Sequence, residues 1–272
     1  MKFDGKQMPY LRKAFEGENM INEKYKWLTD VYVAHRGLFD NVTVPENSIP
    51  AFEKASENGF AIEMDVQQSK DGVLMVFHDD TLKRMTGKDG LLVDYTFDEL
   101  RQMRLIDTDC KIPTFEEFLQ AANGVNLVVE IKTHKNIGPW EQKVVDALAN
   151  YKGNYCIESF NPYIIRWMKV HAPHIIRGQL SCDHKNSNLS AFAKWLLRNL
   201  KLCNWNGSQF IAYDAATIAT SKAVKKFAKK IPIICWTVKS QQQHDELCAH
   251  FDNMIFDSFV PERKDLEKLN KN

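Results

Sequence analysis

The chain has 272 residues, with 36 Lys and Arg against 35 Asp and Glu, 44% hydrophobic and 26% charged residues, 12 Gly and 9 Pro. This is ordinary globular composition, and the length suits either two small domains or one (β/α)8 barrel, which runs to about 250 residues as a single unit. A formal net charge of +1 with no charge block removes the electrostatic case for a nucleic-acid or acidic-membrane partner.

The first residues, MKFDGKQMPYLRKAFEGE, show neither an apolar core nor a small-residue cleavage site, so the expectation is a cytoplasmic protein. Residues 1–30 carry Met8, Tyr10, Leu11, Phe15, Met20, Trp27 and Leu28 among charges and are expected to close the bottom of the barrel. From residue 31 to the end, short β-rich runs alternate with stretches of helical period, the signature of βα units on a parallel sheet. Strands are expected at 31–36, 60–67, 127–132, 154–159, 175–180, 209–215, 232–238 and 254–257. Eight strands with helices between them favour closure into a TIM (β/α)8 barrel. Helix starts are marked by Thr114 with Glu117 as a capping box, by Pro139, and by Asn161 before Pro162.

One connection is anomalous. After the second strand the chain runs through residues 69–113 before the next barrel helix, where a βα loop takes about 2–6 residues. Residues 72–76 read as a hairpin partner, and residues 96–103 as a small helix capped by Thr96 and Glu99. This is a structured insertion at the end of a barrel strand, where active-site loops belong. The longest apolar runs, 211–216 and 231–238, are of strand length and short of the ~20 residues that span a bilayer, so no integral membrane segment is expected. The six cysteines, Cys110, Cys156, Cys182, Cys203, Cys235 and Cys248, lack a CxxC pair and read as reduced thiols.

Polar residues sit at the C-terminal ends of otherwise apolar strands. In FAIEMDV the period of two puts Glu63 and Asp65 on one face, opposite Ile62, Met64 and Val66. In LVVEIK, Glu130 and Lys132 share a face in the same way, and His35 and Arg36 stand where the first strand runs into its loop. A single buried acid in a strand is commonly a satisfied structural residue. Three carboxylates at corresponding heights are another matter, because like charges a few ångströms apart require either raised pKa values or a bound cation. The oxygen-only set Glu63, Asp65 and Glu130 suits one hard divalent ion, Mg2+ or Ca2+. With His35, His78, Arg36 and Lys132 nearby, two imidazoles supply a proton acceptor and a donor while the cations neutralise a phosphate, so the assembly reads as a phosphoester-cleaving site. Phe39, Phe160, Trp236 and Phe256 are candidate aromatics for the pocket rim, with Phe160 and Trp236 the substrate-facing pair.

These residues resemble the signature of glycerophosphodiester phosphodiesterases. His35-Arg36-Gly37, Pro45-Glu46-Asn47-Ser48, Glu63-Met-Asp65, Asp71-Gly72, His78-Asp79, Arg84, Ile112-Pro113-Thr114, Glu130-Ile-Lys132, Ser159-Phe160, Trp236-Thr-Val238 and Asp257 follow it in order and spacing across about residues 31–262. The resemblance implies a TIM barrel with a small insertion and metal-dependent hydrolysis of a small-molecule glycerophosphodiester to glycerol 3-phosphate and an alcohol. Carried across, Glu63, Asp65 and Glu130 hold the metal, His35 and His78 are the acid–base pair, Arg36 and Lys132 bind phosphate, and Glu46 and Asn47 shape the first loop and help position His35. Glu46 is further expected near the metal or a glycerol hydroxyl. The attacking oxygen, from water or from the adjacent glycerol hydroxyl, stays open.

The chain departs from the family pattern at Lys239, where Asn is usual, at Asn253-Met-Ile-Phe256, and in its first 30 residues, which leaves the alcohol head-group open. Two other readings compete. A lysophospholipase D or sphingomyelinase D-like enzyme would need an apolar channel or docking patch, and a non-catalytic phosphodiester-binding barrel would have lost a reactive position. The oligomeric state is not legible.

Overall fold

The computed structural model describes residues 23–261. The expectation placed on the N-terminal segment therefore lies outside the described residues for positions 1–22. Alternation along each strand decides what faces inward. Eight parallel strands close into a barrel: β1 (Val33–His35), β2 (Ala61–Gln68), then, after the short antiparallel β3 (Leu74–Val76), β4 (Leu127–Ile131), β5 (Tyr155–Ser159), β6 (Ile176–Ser181), β7 (Phe210–Asp214), β8 (Ile233–Val238) and β9 (Asn253–Phe256). β1 closes the ring by pairing with both β2 and β9. The eight expected strands are these eight, displaced by at most two residues at any end.

Around them lie α1 (Glu23–Asp30), α2 (Ile49–Glu57), α3 (Phe115–Ala122), α4 (Pro139–Leu148), α5 (Pro162–His171), α6 (Ala191–Arg198), α7 (Lys222–Phe227) and α8 (Gln241–Leu247). Their starts follow from local chemistry. Thr114 Oγ1 accepts from Glu117 N at 3.1 Å while Glu117 Oε2 accepts from Thr114 N at 2.9 Å, which satisfies two orphan amides at the start of α3. Asn161 Oδ1 accepts from Tyr163 N across the first-turn proline of α5.

Inward residues Val33, Ala61, Val128, Cys156, Ile176, Phe210, Ala212, Ile234 and Ile255 form one cluster, joined by Trp27 and Leu28 of α1. Their outward neighbours Ala34, Ile62, Met64, Val129, Ile131, Ile157, Ile211, Cys235 and Met254 pack against the helix layer. Each large side chain so buried contributes about 1.5–3 kcal/mol, which is why the period-two pattern fixes the register of every strand. Asn253 Nδ2 donates to Leu28 O and Val31 O, and Gln209 Nε2 donates to Tyr25 OH, fixing α1 across the end where the strands begin.

Gly178 faces Phe210 in register across β6 and β7, and a Cβ there would stand 2.2 Å from the Phe210 ring. That ring is fully buried and has nowhere to move. Gly178→Ala is therefore expected to destabilise the protein by about 1–3 kcal/mol despite the entropy alanine removes from the unfolded chain. Thermal unfolding of the variant checks this; an unchanged or higher Tm would contradict the packing account.

Residues 69–113 build a satellite core of Met75, Phe77, Leu82, Met85, Leu92, Leu100, Leu105 and Ile112 on the C-terminal end of β2. β3 pairs antiparallel with β2 through Val66 and Val76, and short helices follow at Lys83–Thr86 and Phe97–Leu100, the second with the Thr96–Glu99 capping box. Gln67 Nε2 donates to Phe77 O at 3.0 Å and Asp79 O at 2.8 Å, so the stretch that carries His78 is tied to the barrel strand that carries Asp65.

Candidate active site

Register brings the acids together. Asp65 of β2 is level with Glu130 of β4, Glu63 is level with His35 of β1, and Glu130 is level with Glu158 of β5. Glu63, Asp65 and Glu130 are all buried, and each offers an oxygen within 4.8 Å of the others. Two cations reach in. Lys132 Nζ stands between Asp65 Oδ1 at 3.2 Å and Glu130 Oε1 at 3.1 Å, and Arg36 Nε lies 3.4 Å from Asp65 Oδ2.

Glu158 belongs to the same interior. It follows Cys156 on the inner face of β5, is fully buried, and its Oε2 has no hydrogen-bond partner in the structure. The alternation that exposed Glu130 in the sequence marks Glu158 equally, in Cys156-Ile-Glu158, and the sequence reading did not use it. Burial pushes the carboxyls of Glu63 and Glu158 well above their usual value, with the charge of Asp65 adding to the first and that of Glu130 to the second. Glu130 is raised by burial too, against the pull of Lys132. Asp65 is held low: burial opposes its ionisation, but Lys132, His78, Arg36 and the Asn47 amide outweigh it. Four carboxyl groups against two cations leave an excess of negative character that a divalent cation would relieve. The oxygen-only donors Glu63, Asp65 and Glu130 fit a hard ion.

Each candidate histidine is held at Nδ1 by an aspartate. His35 Nδ1 lies 2.9 Å from Asp257 Oδ2, which leaves Nε2 on the side of Glu63, 3.9 Å from its Oε2. Burial pushes the His35 imidazole below its ordinary pKa, against the hydrogen bond to Asp257, and so favours the uncharged ring. His78 Nδ1 lies 2.6 Å from Asp79 Oδ1, and Phe77 N donates to Asp65 O, which places His78 beside the acids. The sequence had no means of pairing His35 with Asp257, 222 positions away.

Arg84 of the insertion bridges two loops. It donates to Asp79 through Nε at 2.6 Å and to both oxygens of Glu46 at 2.7 Å. Glu46 also accepts from Arg36 Nη1 at 2.7 Å and Asn41 Nδ2 at 2.9 Å. Burial disfavours the Glu46 carboxylate, yet Arg84 and Arg36 hold its pKa down at about 2. With both oxygens engaged, Glu46 acts here as an anchor for two guanidinium groups. Asn47 Nδ2 donates to Asp65 Oδ2 at 2.8 Å and its backbone N to Arg36 O, so Asn47 fixes Asp65 and Arg36 rather than His35. Arg36 adopts a left-handed φ of 56°, which aims its backbone N at Glu63 Oε2, and Gly37, at φ 83°, runs so close to Ala51 that an added Cβ would stand 2.7 Å from that residue's backbone.

Phe160 and Trp236 meet edge to face, ring centroids 5.4 Å apart, packed on the inner cluster. Phe256 does not join them. Its place in the alternation of β9 turns it outward, buried against Phe60 at 4.9 Å, so the expectation of a rim role for Phe256 is corrected. Lys239 is exposed, its Nζ 3.9 Å from Asp257 Oδ1.

The model of the glycerophosphoryl diester phosphodiesterase family matches residues 35–258. A glycerophosphodiester phosphodiesterase of Caldanaerobacter subterraneus is 36% identical over 163 residues, 54% of this chain and 65% of that one. Glycerophosphodiester phosphodiesterase 1 of Mus musculus is 30% identical over 259 residues, covering 84% of this chain and 78% of the relative. The alignments with the first bacterial relatives thus span just under two thirds of their length. In structure, the barrel superposes on a phosphodiesterase from Oleispira antarctica, solved in complex with its product sn-glycerol-3-phosphate, at a TM-score of 0.70 and 21% identity over 92% of this chain and 99% of that one. A glycerophosphodiester phosphodiesterase from Parabacteroides distasonis gives 0.70 and 23%, over 89% and 98%. At such identity the structural likeness speaks to the fold.

Proposed function

We infer from a single premise, that the chain belongs to the glycerophosphoryl diester phosphodiesterase family, that it hydrolyses glycerophosphodiesters to glycerol 3-phosphate and an alcohol with the help of one divalent cation, Mg2+ or Ca2+. The observation that carries this reading is the buried triad Glu63, Asp65 and Glu130 beside two aspartate-held imidazoles and two cations.

Glu63, Asp65 and Glu130 would hold the ion, which when bound polarises the phosphoryl group and offsets the charge that grows on it. Arg36, and Lys132 once drawn from its two acids, bind the nonbridging oxygens. His35 Nε2 takes the proton of the attacking oxygen, either water, which gives glycerol 3-phosphate directly, or the adjacent glycerol hydroxyl, whose cyclic phosphate water then opens, with Asp257 fixing the tautomer at Nδ1. A new P–O bond forms, the bond to the alcohol breaks, and His78 Nε2 gives its proton to the departing alkoxide while Asp79 and Arg84 hold the ring in place. Phe160 and Trp236 flank the organic part of the substrate. Among the described residues no helix is long and apolar enough to cross a membrane. The six free cysteines support a reducing, cytoplasmic setting as part of the same reading.

The test is glycerol 3-phosphate release from glycerophosphocholine, glycerophosphoethanolamine and glycerophosphoglycerol, with lysophosphatidylcholine as a further arm, after chelation and with Mg2+ or Ca2+ restored. Turnover is expected to vanish with chelator and return with one of the ions. Release that persists through chelation would overturn the metal reading, and no release from any diester would overturn the phosphodiesterase reading.

A further inference from the structure

We propose that α6 and the loop leading into it form a docking face for an anionic phospholipid bilayer, beside the mouth of the barrel. The loop, residues 182–190, leaves the C-terminal end of β6, so it lies on the same side as the candidate site. A run of rings connects the two: Trp236 and Phe160 meet edge to face, and Phe160 meets His184 of the loop edge to face at 6.2 Å. Ser181 Oγ donates to Leu197 O and holds the helix to the strand.

No residue of α6 is buried, although its sequence, AFAKWLLR, is mostly apolar. Leu189, Phe192 and Trp195 recur at intervals of three, 43%, 68% and 42% exposed, and the last two rings stack at 6.0 Å. Isolated exposed apolar residues need no explanation, but a stripe of two large aromatics and a leucine on one short helix and its lead-in does.

Charge identifies the occupant. Residues 182–213 contain Lys185, Lys194, Arg198 and Lys201 against a single acid, Asp183, which pairs with Lys185 at 3.1 Å, in a chain whose overall charge is only +1. Lys201 Nζ stands over the Trp195 ring at 5.2 Å, and Lys194, Arg198 and Lys201 form no ion pair with a described residue. Aromatic and aliphatic residues on one face, flanked by lysine and arginine, suit the boundary between acyl chains and anionic head-groups. A second copy of this chain would bring the same cations against each other, which disfavours self-association through the patch. Resting on the phosphodiesterase reading, docking here would set the site at the surface where lysophospholipids reside and from which their deacylation releases soluble glycerophosphodiesters.

The full-length protein is sedimented with vesicles of phosphatidylcholine alone and with vesicles that also contain phosphatidylglycerol, at low and high salt and without substrate. The partition is expected to be at least about tenfold greater on the anionic vesicles and to fall with salt, since each cation at such a surface is worth about fivefold. Phe192→Ser with Trp195→Ser, and separately Lys194→Glu with Lys201→Glu, should each lower it about tenfold or more, with Tm and turnover of soluble glycerophosphocholine unchanged. Equal binding to both vesicle types, no binding at low salt, or variants that bind like the wild type would overturn the proposal. So would a dimer in sedimentation equilibrium that the Phe192 and Trp195 substitutions dissociate, since that would make a second copy the occupant. Binding is read without turnover, so its failure is separate from any failure of the phosphodiesterase reading.

Discussion

Glu63→Gln should lower kcat/KM for a glycerophosphodiester by about 10³-fold or more, and the metal-free variant should melt at least as high as the wild type. The loss follows if several kcal/mol of transition-state stabilisation depend on the divalent ion, at 1.36 kcal/mol per tenfold in rate. The stability expectation has the opposite sign for a structural reason. Three buried carboxylates lie within 4.8 Å of one another, and Glu63 is pushed upward first by burial and then by Asp65. An acid whose folded pKa is raised costs stability once the pH exceeds its unfolded pKa, and the cost is complete above the folded one. A neutral isostere removes that cost, while the glutamine carbonyl can still accept from Arg36 N as Glu63 Oε2 does at 3.0 Å. A gain of roughly 2–4 °C corresponds to about 1 kcal/mol in a protein of this size. Calorimetric titration of Mg2+ and Ca2+ into wild type and variant completes the measurement. Undiminished turnover, or unaltered ion affinity in the variant, would remove Glu63 from the metal site; a lower metal-free Tm would show that the carboxylate serves a structural role instead.

His78→Ala should lose about 10²–10⁴-fold in kcat on a choline ester and far less on a p-nitrophenyl ester of glycerol phosphate. Choline is a poor leaving group that needs a proton as the bond breaks, whereas p-nitrophenolate departs unaided. The structure gives His78 the support a proton donor needs: Asp79 at Nδ1, itself clamped by Arg84, which is anchored in turn by Glu46. With His35 in the role proposed for it, His35→Ala should be severe on both substrates, because the acceptor of the nucleophile's proton is then lost whatever leaves. Equal losses for His78→Ala on the two esters would contradict its assignment as the acid. Selective loss on the choline ester in His35→Ala would exchange the two roles.

The docking patch that a lysophospholipase D-like enzyme would need does not stand out in the sequence, for a physical reason. AFAKWLLR has the composition of a helix whose large residues are covered by a sheet, and only the exposure of Phe192 and Trp195 shows that here they are not. Likewise a net charge of +1 averages away Lys194, Arg198 and Lys201, three cations within eight residues that form no ion pair with a described residue.

Period-two alternation was enough to find eight strands and to put Glu63, Asp65 and Glu130 on inward faces, because burial penalises any other register of Ile62, Met64, Val129 and Ile131. The capping boxes at Thr114 and Thr96 were equally legible, since both partners lie within one helical turn. What the chain's order could not reveal is which groups complete the site. Closure of β9 onto β1 delivers Asp257 to His35 across 222 positions, and the packing of the insertion delivers Arg84 to Glu46 across 38. The same register turned Phe256 away from the rim and set Lys132 between two acids. Local sequence fixes the direction of a side chain within its own strand or turn. Its partner across the barrel is chosen by strand register, ring closure and helix packing, which are properties of the folded whole.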